Sequence, residues 1–216
     1  MEKTKIAIGC GNRFYGKDWI HNDIVQSKHI DCIGYAHSLP IESNSMELVY
    51  ASHVLEYYDW EAAEAIVLPE WKRILKPGGM LRISVPDFNA LVKWYMKQRK
   101  KEVDDIDGAL KEIIGPLFGR MRGEEGLIYH KTTYDYPTLK NMLNRIGFNN
   151  IKTWSWLQKD VEHGNVDDHS QAYFPKIPLN YPNKKELDII VEGIVVEAIK
   201  DIDFVKEKLD SIWHLS

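Results

Sequence analysis

The stretch IAIGCG, residues 6–11, decides the fold class of this chain. A short apolar run that ends in glycines is typical of a buried strand followed by a tight turn, where the backbone can approach a ligand closely. The next strand-like run, residues 19–22, ends beside an acid, Asp23. Further β-rich runs alternate with polar or helical stretches, which predicts an α/β fold with a mostly parallel sheet. They lie at residues 31–34, 46–51 and 80–85.

A crossover helix is predicted between the fourth and fifth of these strands. Asp59 is suited to cap its N-terminus, and the stretch KPGG at residues 76–79 ends it. Pro69 lies inside the helix and lacks a backbone donor, so we expect a bend or a break near Ala65. The apolar residues recur at spacings of three and four, as one helical face requires: Trp60, Ala63, Val67, Trp71 and Ile74.

The remainder of the chain is predicted as elaboration of a single domain, residues 1–216. Residues 89–135 combine two helical stretches with a glycine-containing, mobile loop at 119–135, and we interpret them as a helical lid. A helix from Pro137 to Gly147 follows, and then strands at 150–157 and 189–199. The loop between those strands, residues 159–185, is too long for a simple connector. An apolar helical face at 204–213 is expected to dock on the body or on a second subunit, so a homodimer is one expectation.

The glycine turn alone is weak evidence for a nucleotide. A dinucleotide-binding fold would place a third glycine at position 14, where the chain has Phe14. Asp23 meets another requirement, because its carboxylate can accept hydrogen bonds from both hydroxyls of a ribose. The pattern therefore favours a nucleoside without a pyrophosphate.

Two further blocks complete a resemblance to a known family. They are LPIESNSMELVYASHVLEYY at residues 39–58 and EWKRILKPGGMLRISVPDF at residues 70–88. With IAIGCG and WIHND, they resemble the class I S-adenosylmethionine-dependent methyltransferases of the type 11-like group, in family order. The helical lid insertion after the fifth strand, residues 89–135, matches no family block and is predicted from its own residues. The resemblance implies a Rossmann-like, seven-stranded, mostly parallel sheet with helices on both faces. It also implies S-adenosylmethionine as the cofactor.

The resemblance implies roles for particular residues. Asp23 would hold the ribose, and the stretch Tyr35-Ala36-His37 would lie beside the adenine. The methionine moiety would be lined by Gly9, Cys10 and Gly11. Ser52 and His53 would close the methionine end of the site.

The chain also departs from the family pattern. Ala7 replaces the acid of the first strand, and Tyr35 replaces the acid that usually receives the adenine amino group. Adenine recognition by backbone amides and stacking is therefore expected. The connection from Gly11 to Asp23 is short for a crossover helix, so a truncated or missing first helix is predicted.

The expected reaction is methyl transfer to an oxygen or nitrogen of a small-molecule acceptor, such as a sugar or another hydroxylated metabolite. The candidates for a proton acceptor are His130, His53 and Asp87. His130 is chosen because it lies beyond the lid helices, where the resemblance implies a substrate pocket. An ordinary loop histidine is the alternative interpretation. The alternative is a non-catalytic protein that binds S-adenosylmethionine or S-adenosylhomocysteine. The departures from the family pattern at Ala7 and Tyr35 favour this alternative.

Composition excludes several other classes. The 216 residues include 28 Lys+Arg and 32 Asp+Glu, a formal net charge of -4, which disfavours a nucleic-acid partner. No apolar run approaches the roughly 20 residues that span a bilayer, so no membrane partner is expected. Cys10 and Cys32 form no CxxC pair and no secretory leader is recognisable, which predicts a cytoplasmic protein. The acid- and histidine-rich stretch at 162–169 matches no ligand set, so no metal is expected.

Overall fold

The computed structural model describes residues 3–99, 108–119, 121–123, 126–153 and 188–195. Over these residues, strands and helices alternate along the first half of the chain, as the β-rich and helical patterns predict. The described strands are β1 (Lys5–Ile8), β2 (Trp19–Asp23), β3 (Cys32–Ile33), β4 (Met46–Ser52), β5 (Leu75–Pro86), β6 (Met121–Gly123), β7 (Gly126–Ile128), β8 (Phe148–Thr153) and β9 (Asp188–Val195). The described α-helices are α1 (Trp60–Ala62), α2 (Leu68–Ile74), α3 (Phe88–Arg99), α4 (Gly108–Phe118) and α5 (Tyr136–Ile146).

Seven strands form one mixed sheet in the order β3-β2-β1-β4-β5-β9-β8. The first five strands of the chain are parallel where they pair, while β9 runs antiparallel to both β5 and β8. The order places β1 in the interior of the sheet, between β2 and β4, where Ile8 is in register with Asn22 on one side and with Ala51 on the other. The predicted Rossmann-like, seven-stranded α/β fold is confirmed.

The two faces of the sheet bury different side chains. Ile6 and Ile8 face the helical layer, in which Trp71 of α2 and Leu139 of α5 are also fully buried. The intervening Ala7 faces the other side and packs with Trp19, Leu48 and Tyr50. Strands buried on both faces read as continuous apolar runs, which is why IAI and ELVYA carry the strand signal. Helices α3 and α4 pack on each other through a separate cluster of Leu91, Trp94 and Ile113.

The predicted interruption by Pro69 takes the form of a π-helical turn. Asp59 caps the helix as expected, since its side chain accepts a hydrogen bond from the backbone N–H of Ala62 at 2.8 Å. The chain then passes through the π turn, Ala63–Val67, before α2 begins. The N–H of Leu68 donates to the carbonyl of Ala63, five residues back, just before the proline removes a donor from the helix.

The connection from β1 to β2 contains no helix. Residues 9–18, all of which the structure describes, form only turns and irregular backbone. The predicted loss of the first crossover helix is therefore confirmed, and Tyr15 from this connection packs against the second core cluster instead. The short route still joins two parallel strands, because left-handed glycines at its start reverse the chain within a few residues.

Two stretches differ from the sequence prediction. Strand β5 begins at Leu75 rather than at residue 80, because Leu75 pairs with Met46 on the far side of a register shift in β4. Residues 119–135, predicted as a mobile loop, contain the antiparallel pair β6 and β7. A pattern of glycines and charges cannot distinguish a hairpin from a loop when each strand is only three residues long.

Other predicted elements agree in place and kind. Helix α5 carries the N-cap Asp135 and ends at Gly147, whose φ of 94° is the left-handed conformation of a helix C-terminus. Helices α3 and α4 cover the two helical stretches of the predicted lid, and the name lid stays a prediction. The long loop at 159–185, with its acid-rich part, and the tail at 204–213 lie outside the described residues. In the part of the chain that is described, no helix has the length and apolar character needed to cross a membrane.

Candidate functional site

A cavity of about 450 Å³ opens at the carboxyl ends of β1, β2 and β4. This edge of a parallel sheet is where α/β folds bind ligands, because the strand order reverses there. Six residues predicted from the family blocks line it: Gly9, Asp23, Tyr35, Ala36, His37 and His53. The other lining residues are Asn22, Ile24, Gly34, Val54, Tyr57, Tyr58, Asp59, Ala62, Ile66, Val67, Ile128 and Lys131.

Gly9 forms the floor of the cavity, and only glycine fits there. Its φ of 61° is left-handed, and a Cβ at this position would lie 2.5 Å from Cγ2 of Val54. Gly11 is also left-handed, with a φ of 57°, but an added Cβ would meet nothing within 4 Å. The turn therefore needs glycine at both positions for backbone conformation, and at Gly9 also for space.

Asp23, at the end of β2, is held rigidly by the glycine turn. The N–H of Gly11 donates to its Oδ2 at 2.8 Å, and the N–H of Val25 donates to its Oδ1 at 2.9 Å. A carboxylate has about four acceptor positions, so two backbone donors leave capacity for the hydroxyls of a ligand. The arrangement fits a ribose, as the sequence predicts.

The segment after β3 forms the wall predicted to face the adenine. The rings of Tyr35 and His37 stack with their centroids 5.3 Å apart. Nδ1 of His37 lies 3.1 Å from the hydroxyl of Tyr58. Burial lowers the pKa of His37 and raises the pKa of Tyr58 to about 12, so both groups are neutral near pH 7. The wall is aromatic and uncharged, which suits a stacked base.

Helix α2 anchors that wall through buried polar contacts. The indole N–H of Trp71 donates to the carbonyl of Ala36 at 2.9 Å. Oε1 of Glu70 accepts the N–H of Leu39 at 2.7 Å, and the same carboxylate binds the guanidinium of Arg73 through both of its oxygens. The position of the adenine wall therefore depends on helix residues that do not themselves line the cavity.

A histidine and a glutamate meet at the opposite end, where β4 leaves the sheet. His53 has a left-handed backbone with a φ of 56°, and its N–H donates to the carbonyl of Ser84 at 2.9 Å. Its Nδ1 lies 2.9 Å from Oε1 of Glu56, which is fully buried. His130 approaches the same oxygen with its Nε2 at 3.9 Å.

Four predicted site residues lie outside the cavity lining. The thiol of Cys10 packs in the core on the other face of the sheet, where burial raises its pKa to about 12, so it is a neutral thiol. Gly11 acts through its hydrogen bond to Asp23. Ser52 is buried at the end of β4. His130 is buried behind Tyr57, with its Nδ1 2.9 Å from the carbonyl of Pro116, and burial lowers its pKa. The roles assigned to these four stay predictions.

Asp87, the third candidate proton acceptor, also lies outside the lining. It is half-buried at the start of α3, where its Oδ1 accepts the N–H of Asn89 at 3.0 Å. Burial raises its pKa. Its contacts are those of a helix cap.

Sequence reasoning did not find the helical and distal parts of the lining. Ala62, Ile66 and Val67 belong to α1 and the π turn and read as ordinary apolar core. Ile128 and Lys131 come from the segment after β6, which matches no family block. Glu56 was visible only as one letter within the block at residues 39–58, although its spacing of three from His53 places both at the same turn.

The residues present fit S-adenosylmethionine. A glycine floor permits close approach, a fixed carboxylate can take ribose hydroxyls, and an aromatic wall with neighbouring apolar side chains can take the base. Within the described residues, no group of histidine, cysteine or acidic side chains could hold a metal ion.

Comparisons with known proteins point to the same family. Residues 8–83 match the family model of a methyltransferase domain. The chain is 28% identical over 171 residues to the demethylmenaquinone methyltransferase of Staphylococcus haemolyticus, over 69% of this chain and 64% of that protein. It is 27% identical to the enzyme of the same name from Staphylococcus saprophyticus, over 69% and 65%. The match spans less than two thirds of these relatives.

Solved structures with a similar course of the chain include a methyltransferase from Archaeoglobus fulgidus that depends on S-adenosylmethionine, with a TM-score of 0.49 at 16% identity. The superposition covers 89% of this chain and 86% of that one. A possible histamine N-methyltransferase from Thermotoga maritima has a TM-score of 0.48 at 16% identity, over 90% and 82%. Residues 8–83 therefore resemble a methyltransferase domain, and the seven-stranded sheet with a cavity at its carboxyl edge fits the fold of the class I S-adenosylmethionine-dependent methyltransferases.

Proposed function

We propose that this chain transfers the methyl group of S-adenosylmethionine to an oxygen or nitrogen atom of a small hydroxylated or amino metabolite, such as a sugar. The observation that carries the proposal is the cavity at the carboxyl edge of the sheet, with Asp23 fixed at its rim. Its volume of about 450 Å³ lies within the range of small-molecule sites. The net charge of -4 supports a small acceptor rather than a nucleic acid.

The chain's own residues would bind and orient the reactants. Gly9 and Asp23 would hold the methionine and ribose parts of the cofactor, and the wall of Tyr35, Ala36 and His37 would hold the adenine. When bound, the cofactor supplies an electrophilic methyl carbon on a sulfonium. The protein then has to bring the acceptor in line with that carbon, exclude water and accept the proton that the acceptor loses.

The acceptor would enter at the end of the cavity opposite the adenine wall. Tyr57, Ile128 and Lys131 line the cavity from the 3-10 turn after β4 and from the segment beyond α4. Lys131 is exposed, and its backbone N–H donates to the carbonyl of Glu56 at 2.8 Å, which fixes it beside His53 and Glu56. A cation in this place would favour an acceptor that carries a negative group.

The names of the curated relatives favour a second candidate acceptor, demethylmenaquinone. A panel experiment separates the two. Purified protein is incubated with S-adenosylmethionine and, in turn, with sugars, amines, phenols and demethylmenaquinone, and mass spectrometry follows the gain of one CH₂. We expect turnover with a hydroxylated or amino compound. Turnover with demethylmenaquinone alone would replace the proposed acceptor class.

The non-catalytic alternative has its own outcome in the same experiment. A protein that binds S-adenosylhomocysteine but produces none with any acceptor of the panel would contradict catalysis and favour the regulatory interpretation. Asp23→Ala serves as the control, because it removes the ribose contact and should abolish any turnover that depends on this cavity.

A further inference from the structure

Two buried ionisable side chains meet at the acceptor end of the cavity. His53 is 6% exposed and Glu56 is 0% exposed. Nδ1 of His53 lies 2.9 Å from Oε1 of Glu56, and His53 also lines the cavity. The other carboxylate oxygen of Glu56, Oε2, has no hydrogen-bond partner among the described residues. A buried carboxylate with so few hydrogen bonds destabilises the fold unless a positive charge can form beside it.

The backbone of His53 is also unusual. A φ of 56° is uncommon for a residue other than glycine, although histidine adopts it more often than most, and the hydrogen bond to the carbonyl of Ser84 holds it in place. Such conformations persist where the surrounding structure over-determines them, and they concentrate at functional sites. Here the strain turns the imidazole of a strand-end residue toward a glutamate three positions on.

The pairing selects one tautomer of the imidazole. A carboxylate that is ionised only accepts hydrogen bonds, so beside such a group Nδ1 of His53 would carry the hydrogen and the lone pair would lie on Nε2. The ring of His130 is oriented in the same way. The carbonyl of Pro116 lies 2.9 Å from Nδ1 of His130, and a carbonyl oxygen can only accept a hydrogen bond. Its Nε2 is the atom that approaches Glu56 at 3.9 Å. Glu56 thus lies between two oriented imidazoles.

We propose that His53 is the catalytic proton acceptor of this site and that Glu56 is its positioning residue, which rests on the proposed methyl transfer. As the acceptor's oxygen or nitrogen forms its bond to the methyl carbon, the C–S electron pair leaves with the sulfur as a neutral thioether. The acceptor's proton passes to Nε2 of His53. The imidazolium so formed lies beside the Glu56 carboxylate, which stabilises it in a site shielded from water. The proton later passes to water.

The choice of His53 over His130 follows from position, because His53 lines the cavity and His130 does not. His130 lies behind Tyr57, with the two rings edge to face at 4.7 Å. It contributes as a second polar neighbour of Glu56 and as a wall behind the acceptor. Asp87 caps α3 and takes no part.

Several charged and titratable groups face this pair and belong to any pH dependence. His130 comes from the segment after β7, and Tyr134 from the same segment lies close enough to Glu56 for its pKa to be raised, mainly by burial. The remaining ionisable groups that line the cavity are Asp23, His37, Tyr35, Tyr57, Tyr58, Asp59 and Lys131. The carboxylate in hydrogen-bond contact with His53 is that of Glu56, so its removal should dominate.

The first test needs no acceptor. Long-range ¹H–¹⁵N spectra of the full chain, with and without S-adenosylhomocysteine, report the tautomer and titration of each histidine ring, and His53→Asn assigns the signal. Asparagine is chosen because it tolerates a left-handed backbone. We expect neutral His53 to carry its hydrogen on Nδ1. In the Glu56→Gln variant, the titration midpoint of His53 should move to lower pH by about one unit or more, because the neighbouring anion has been removed.

Glu61→Gln is the matched control, because Glu61 is an exposed glutamate outside the cavity lining and should leave the midpoint of His53 where it is. Hydrogen on Nε2 of neutral His53, or a midpoint that Glu56→Gln does not move, would overturn the proposal.

The second test uses the acceptor found in the panel. His53→Asn should bind S-adenosylhomocysteine as the wild type does and lose kcat by about 10²-fold or more. Glu56→Gln should retain part of kcat, with the acid limb of its pH profile moved to lower pH, because a neutral imidazole then persists to lower pH. Full turnover in His53→Asn, or loss of its S-adenosylhomocysteine binding, contradicts the assignment of His53. A wild-type protein that binds no S-adenosylhomocysteine contradicts the proposed function instead.

Discussion

Trp71→Ala is expected to lower the free energy of unfolding by about 3–5 kcal/mol. The indole is fully buried between the sheet and helix α5, and it belongs to the main core cluster. Its removal also leaves the carbonyl of Ala36 without its 2.9 Å donor. Because a domain of this kind is stable by only about 5–15 kcal/mol, the variant should lose a large part of its stability. Urea unfolding followed by circular dichroism measures the loss.

Trp71→Phe separates the two contributions. It keeps an aromatic ring in the core but removes the N–H donor and part of the buried volume, so we expect a loss of about 1–3 kcal/mol. Since Ala36 lines the cavity, this variant should also weaken the binding of S-adenosylhomocysteine. A Trp71→Phe variant as unstable as Trp71→Ala would show that the hydrogen bond, rather than packing, dominates, against our account.

Gly9→Ala is expected to abolish cofactor binding and to destabilise the domain. A left-handed alanine costs about 1–2 kcal/mol. The added Cβ would also lie 2.5 Å from Cγ2 of Val54, and relieving such overpacking costs about 1–3 kcal/mol more. Both residues line the cavity, so the relief has to deform it. Calorimetric titration with S-adenosylhomocysteine and thermal unfolding check both effects.

Gly11→Ala and a double variant are the controls for this steric argument. Gly11 has nearly the same φ, 57°, but an added Cβ there meets nothing within 4 Å, so only the backbone cost should remain. Val54→Ala combined with Gly9→Ala removes the clashing methyl and should restore part of the stability. If Gly9→Ala and Gly11→Ala are equally unstable, the contact with Val54 does not matter and the argument is wrong.

The strand and cap signals were local and therefore predictable from sequence. Strands β1 and β4 are buried on both faces, so their apolar runs stand out from their polar neighbours. Asp59 and Gly147 end their helices through side-chain and backbone chemistry that depends on one residue each. The absent first helix followed from chain length alone.

Two parts of the fold were not predicted, for different reasons. Leu75 joins β5 because Met46 lies opposite it, and nothing in the stretch LKPGG indicates that pairing. The hairpin of β6 and β7 has strands too short to carry an alternating pattern.

In the candidate site, too, some residues were predictable from the sequence and others were not. The residues predicted from the family blocks to hold the cofactor include Asp23 and Gly9, and both line the cavity. The acceptor half follows from tertiary structure, since Lys131 reaches Glu56 from the segment beyond α4. His53 was one of three candidate proton acceptors in the sequence, but its left-handed backbone and its contact with Glu56 become visible only in the fold.

The most direct test of the account is calorimetric titration of the full chain with S-adenosylmethionine and S-adenosylhomocysteine, beside the same titration of Asp23→Ala. The account predicts binding with a Kd in the micromolar range, about -8 kcal/mol, for the wild type and no detectable binding for the variant. Binding that survives Asp23→Ala would place the cofactor elsewhere. No binding of either compound by the wild type would contradict the central claim that this cavity is a cofactor site.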